Sequence, residues 1–177
     1  LSQLLVAHVA LIFIVKLLAP SFDLFLLLVG VSLSGVDALL PVLKLRDDEY
    51  HCGSVFHSVW PPIIGALLLL AFDVIYSASF LAGGFLHLIT DSTDTRGRPW
   101  LYPFSKRAFG VSVFPYNFRD YLSSPLCLAI EASSVIFVVL YVLTFGLDLL
   151  SLLWLSLLLP LFVVFALHQW SRGVQPT

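Results

Sequence analysis

Methionine is absent from the 177 residues, and charge is scarce: nine lysines and arginines stand against eleven aspartates and glutamates. Soluble domains carry charge at about a quarter of their positions. Here the charged fraction is 11%, beside 59% hydrophobic residues and a mean hydropathy of +0.99. That deficit excludes an ordinary soluble enzyme, and a net charge of −2 leaves no basic surplus for binding nucleic acid. The two cysteines, Cys52 and Cys127, sit in unrelated contexts and give no disulfide framework. Without a methionine the initiator is missing from the sequence, and no small-residue cleavage motif precedes Pro20, so a cleaved signal peptide is not expected. Internal repeats and low-complexity segments are absent as well.

What is abundant is apolar sequence. Residues 22–33, 63–72 and 147–167 form long, nearly uncharged runs, and a membrane-crossing helix needs about 20 such residues. The pattern predicts an all-α, multi-pass transmembrane bundle that makes one integral membrane domain of residues 1–177. Six spans are expected, over 1–19, 22–40, 61–76, 79–91, 126–145 and 147–169, with a long loop at 92–125. An even number of spans puts both termini and the 41–59 and 92–125 loops on one side. That side holds eight of the nine basic residues, Lys16 being the exception. Excess Lys and Arg marks the cytoplasmic face, so both termini are expected there, in the inner membrane of a cell. Trp60, Trp100, Tyr102 and Trp170 fall at the same boundary, as an aromatic belt does.

Ionisable groups inside spans are costly in lipid and turn toward a bundle interior or a cavity. Asp37, His51, His57, His87, Asp91, Glu131 and His8 all fall in the cytoplasmic half of the expected bundle. Asp23, Asp73 and Asp148 fall toward the other side without a histidine near them, and read as interface or turn residues. His87 and Asp91, four apart, share a helix face. A one-sided gathering of His, Asp and Glu is the ligand set of zinc or another borderline divalent ion. Such an ion with an open position makes a nucleophile of water near neutral pH, which suits hydrolysis of a phosphodiester or related ester.

Plainer readings compete. A single membrane histidine, such as His8 or His57, commonly bonds a neighbouring carbonyl. The His87/Asp91 pair could serve as an interhelical hydrogen bond, or its carboxylate could meet basic loop residues. Glu131 either joins the catalytic groups or pairs with Arg119 or a serine. Gly83 and Gly84 suit close helix packing, and Asp47-Asp48-Glu49 suits a solvated loop. Arg96, Arg98, Lys106, Arg107 and Arg119 set topology, and can also attract anionic headgroups or phosphate.

The motif Ala82-Gly83-Gly84-Phe85-Leu86-His87-Leu88-Ile89-Thr90-Asp91-Ser92, with Gly97 and then Trp100-Leu101-Tyr102-Pro103-Phe104-Ser105, resembles the YdjM-like inner-membrane metal-dependent hydrolases of bacteria and archaea. These are grouped with the zinc-dependent phospholipase C and nuclease superfamily. His51-Cys52-Gly53-Ser54-Val55-Phe56-His57-Ser58 resembles the family's His-Arg-Gly-x-x-His-Ser element. Gly35-Val36-Asp37-Ala38 stands where the family has Pro-Asp-x-Asp-His, and Ala7-His8 where it has an early Thr-His. The resemblance covers about residues 1–110. It implies His87 and Asp91 as metal ligands, His57 as a third, and Asp37 as a fourth or a supporting group. His51 would complete a second metal or act as a general acid. Gly35 and Ala38 replace an acid and a histidine of the family pattern, which removes two potential ligands.

The leading expectation is thus a cytoplasm-facing, metal-dependent membrane hydrolase of a phosphoester, such as a lipid headgroup. His8, His57, His87, Asp91 and Asp37 would hold a divalent metal, zinc first. His51 and Glu131 would serve catalysis, and Arg96, Arg98, Lys106 and Arg107 would bind substrate. The alternative is a non-catalytic accessory subunit that keeps a degenerate metal site and partners other membrane subunits. A transporter ranks last, because the polar groups do not continue across the bundle.

Overall fold

The computed structural model describes residues 5–33, 55–115 and 118–172. Its regular elements within those residues are all helical: α1 (Leu5–Leu18), α2 (Leu24–Leu33), a 3-10 turn (Val55–His57), α3 (Trp60–Leu69), α4 (Val74–Asp91), α5 (Phe118–Ser123), α6 (Pro125–Phe145) and α7 (Leu149–Arg172). Apart from the short α5, each helix falls on one of the six apolar segments. Two of them, α4 and α6, are long and apolar enough to cross a membrane. In α6 only 11% of the apolar window is buried, so this helix is no core helix of a soluble protein; it offers its apolar surface outward.

The boundaries follow from local chemistry. Pro61 and Pro62 sit in the first turn of α3, where a missing N–H costs nothing. The third segment was expected to reach residue 76, yet α3 stops at Leu69. The reason is Asp73, whose carboxylate accepts from the N–H groups of Ile75 and Tyr76 and starts α4 five residues before the expected position. Asp23 does the same for α2, accepting from Leu26 N–H at 2.8 Å, and Asp148 for α7, accepting from Ser151 N–H at 2.8 Å. The three acids, expected as interface or turn residues, are all helix caps. At the other end of α6, Gly146 has φ +72° and closes the helix in the left-handed region.

α4 is the hub, packing most extensively against α2 and then α3, while α1 packs on α6. The α2–α4 crossing depends on absent side chains. A Cβ on Gly30 would strike the Phe80 carbonyl, and one on Gly83 the Leu27 carbonyl, so the backbones touch as close-packed membrane helices do. Gly84 likewise leaves room for the Pro62 ring of α3. Around this crossing lies a core of Ile12, Phe13, Leu24, Leu27, Leu28, Val31 and Tyr141. The crossing fixes the rotation of α4, and so the direction of its last polar turn.

Candidate metal centre

His87 Nε2 lies 3.4 Å from Asp91 Oδ2 on the last turns of α4. His57, fully buried on the turn that leads into α3, brings its Nε2 to 3.3 Å from the same oxygen. From the first turn of α1, His8 sets Nε2 3.3 Å from Asp91 Oδ1 and against Thr90 Oγ1. Ring centroids are 5.0 Å apart for His8 and His87, and 5.4 Å for His57 and His87. Three elements far apart in sequence thus deliver imidazoles to one carboxylate.

The loop after α4 completes the surroundings. Asp94 Oδ1 accepts from the N–H groups of Arg96 and Gly97, at 2.8 and 2.9 Å. Gly97 takes φ +66° with its Cα close under Phe109 and Gly110, a conformation and a gap that exclude a side chain. This turn sends Arg98 back under α4, fully buried. Its Nε donates to Asp91 Oδ2 at 2.9 Å, its Nη1 to the Gly97 carbonyl at 2.8 Å, and its Nη2 lies 2.7 Å from Asp94 Oδ2. Among the described residues of the cluster, two carboxylates thus face one guanidinium inside an apolar bundle. Isolated buried charge is expensive.

The donors fit a cation. One ligand atom each from His8, His87 and Asp91 lies within 4.8 Å of the others. A tetrahedral ion with bonds of about 2.0–2.1 Å spaces its ligand atoms about 3.3–3.4 Å apart; His8 Nε2 and Asp91 Oδ1 stand at 3.3 Å, with the third atom of the triad within the wider limit. Buried His87 Nε2 and Asp91 Oδ1 also have no hydrogen-bond partner, although buried polar atoms nearly always do. Arg98 holds Oδ2 and leaves Oδ1 as the oxygen open to a ligand.

His8, His57, His87 and Asp91, all expected as ligands, come together. Asp37 and His51 lie outside the described residues. Glu131, expected as a catalytic group or a partner of Arg119 or a serine, meets donors of α1 and α5, the Arg119 side chain lying outside the described residues: Oε2 accepts from Val6 N–H at 3.1 Å and Oε1 from the Tyr121 hydroxyl at 2.8 Å. Burial, and then the Glu131 carboxylate, push the Tyr121 phenol up, so it stays a donor. Arg98, expected to meet substrate, is sealed against Asp91 and Asp94, whereas Lys106 and Arg107 are exposed. Thr90, Asp94 and Tyr121 were not singled out. Thr90 was within reach, since it stands three residues after His87 and shares its face; Asp94 and Tyr121 depend on how the loop folds.

No curated protein and no solved structure matches the chain. The sequence model described as YdjM inner membrane protein matches residues 3–172, a stretch that takes in every described helix and every residue of the cluster. The chain belongs to the YdjM inner membrane protein family.

Proposed function

We propose that this protein is a membrane-bound, metal-dependent hydrolase of a phosphoester, such as a lipid headgroup, with its site at the cytoplasmic end of a six-span bundle. The observation that carries this reading is the convergence of His8, His87 and Asp91 with open donor atoms on His87 and Asp91. His8, His57, His87 and Asp91 would hold the ion, with Asp37 as a further ligand. A bound zinc-type ion supplies Lewis acidity toward a phosphoryl oxygen and lowers the pKa of water to about 7.

The chain's own groups divide the remaining work. Arg98 fixes the Asp91 carboxylate, Thr90 fixes His8, and the 3-10 turn holds His57. Arg96, Lys106 and Arg107 give the loop a positive charge suited to an anionic substrate. His51 is the candidate general acid. Glu131 supports the site from α6.

A second reading rests on Arg98. Its ion pair with Asp91 already offsets one carboxylate, and Gly35 and Ala38 stand where the family pattern has an acid and a histidine. On that reading the cluster staples α1, α3 and α4 together in an accessory subunit.

Elemental analysis of the detergent-purified protein beside His87→Ala and Asp91→Ala variants separates the two. Near-stoichiometric zinc or manganese lost in both variants, with hydrolysis of a phospholipid or phosphoester panel to an alcohol and its phosphorylated product, supports the hydrolase. Metal without turnover on that panel supports the staple. No metal in any of the three sinks both metal roles.

A further inference from the structure

The linker between α4 and α6 joins the C-terminal end of one span-length helix to the N-terminal end of the other. With both helices crossing the bilayer, it lies at one membrane face. It is a built element. Arg98 and Phe109 exchange backbone hydrogen bonds at 2.8 and 2.9 Å, and Val111 and Val113 donate to the carbonyls of Ser92 and Thr93 at 2.9 and 2.8 Å. The returning limb is therefore stitched to the turn that carries Arg98.

This fixed limb turns large apolar side chains outward. Phe104 is 83% exposed, Val111 74% and Val113 54%, with Leu101 and Phe109 each at 45%. A rigid loop that holds such residues out is not matched to water, and an exposed apolar patch marks a surface that meets something. Charge identifies what it meets. Residues 95–115 contain four cations, Arg96, Arg98, Lys106 and Arg107, and no carboxylate. Lys106 and Arg107 are exposed and make no ion pair with a carboxylate among the described residues, Arg107 lying instead over the Phe109 ring at 5.7 Å. Trp60, at the start of α3, meets Phe104 edge-on at 5.6 Å, and aromatic rings of this kind settle at the headgroup level.

We propose that the 99–113 limb is an interfacial anchor, which sinks Phe104 and Val111 among the acyl chains while Lys106 and Arg107 bind anionic phospholipid headgroups. Its partner is the anionic surface of the protein's own bilayer. The proposal needs no metal at the His/Asp cluster, and it gives Lys106 and Arg107 a headgroup contact whether or not that cluster turns over a substrate. Two cations beside an apolar insertion give the loop a dependence on lipid charge, each contributing roughly fivefold to its surface affinity.

The test places an environment-sensitive fluorophore on Phe104→Cys, and separately on Val111→Cys, in full-length protein carrying Cys52→Ser; Cys127 is buried. The labelled proteins are reconstituted in bilayers of phosphatidylcholine with or without phosphatidylglycerol. Blue-shifted emission, quenching by acyl-chain bromine and protection from aqueous iodide are expected with phosphatidylglycerol. They should be lost in Lys106→Gln/Arg107→Gln. Iodide quenching without bromine quenching in every bilayer overturns the anchor. Bromine quenching indifferent to lipid charge overturns the headgroup assignment. Protection from both quenchers means that a protein covers the limb, and overturns the proposal.

Discussion

Arg98 Nε and Asp91 Oδ2 are 2.9 Å apart, and neither side chain has any exposure. Removing one partner of such a pair strands the other in the apolar interior. Arg98→Gln is therefore expected to destabilise the fold by about 3–5 kcal/mol. Thermal unfolding in detergent reads this directly. An Arg98→Gln protein as stable as the parent would mean that the cluster is neutralised by something other than this pair.

Glu131 predicts a different coupling. Its carboxylate binds Val6 N–H at the start of α1, two positions before His8, and the Tyr121 hydroxyl on α5. Glu131→Ala leaves buried donors unsatisfied, at about 1–3 kcal/mol, and frees the turn that carries His8. Stability and metal affinity should fall together, with Glu131→Gln restoring most of both. Isothermal titration with zinc, on bilayer-reconstituted protein, checks the pairing.

Tyr121 gives that network a pH signature. Its phenol is raised in the folded protein by burial and then by Glu131, so its contribution is complete below the unfolded phenol pKa of about 10 and is lost as pH climbs toward the folded value. Stability should decline above about pH 10 more steeply in the parent than in Tyr121→Phe. Equal slopes would show that Tyr121 does not carry the alkaline limb.

The capping acids serve as controls for the candidate metal site. Asp23→Ala, Asp73→Ala and Asp148→Ala should each cost about 1 kcal/mol and leave metal content unchanged. Metal lost from any of them would show that the site extends to the opposite end of the bundle.

Much of this arrangement was legible in the sequence. Apolar run length located the six longer helices, and the four-residue spacing of His87 and Asp91 set them on one face before any tertiary contact was known. Rotation was not legible. Whether Glu131 points at the metal ligands or at the start of α1 depends on how α6 packs, and nothing periodic in its sequence decides that. Arg98 was hidden for a related reason. A basic residue in a loop reads as solvated, and only the Asp94 and Gly97 turn folds it under Asp91. The early start of α4 was legible in principle, since an Asp just before an apolar run is a helix-start signal.

Glycines at the α2–α4 crossing give a fifth expectation, about packing. Gly30→Ala adds a methyl against the Phe80 carbonyl, where backbone must move, and should destabilise by about 1–3 kcal/mol. Because the crossing sets the rotation of α4, metal affinity should drop as well. Thermal unfolding with and without zinc measures both.

The hydrogen bond from Val6 to Glu131 spans 125 positions of chain. During synthesis the start of α1 emerges first, and its acceptor comes only with α6, long after His57, His87 and Asp91 have been made. His8 is consequently the candidate ligand whose helix gains its last tether latest, although it precedes the other three in the chain. A chain halted before α6 would contain all four converging groups, with Thr90 and Asp91 to meet His8 but without the Glu131 tether of its helix. Final anchoring of the His8 end of the cluster is in this way tied to synthesis of α6.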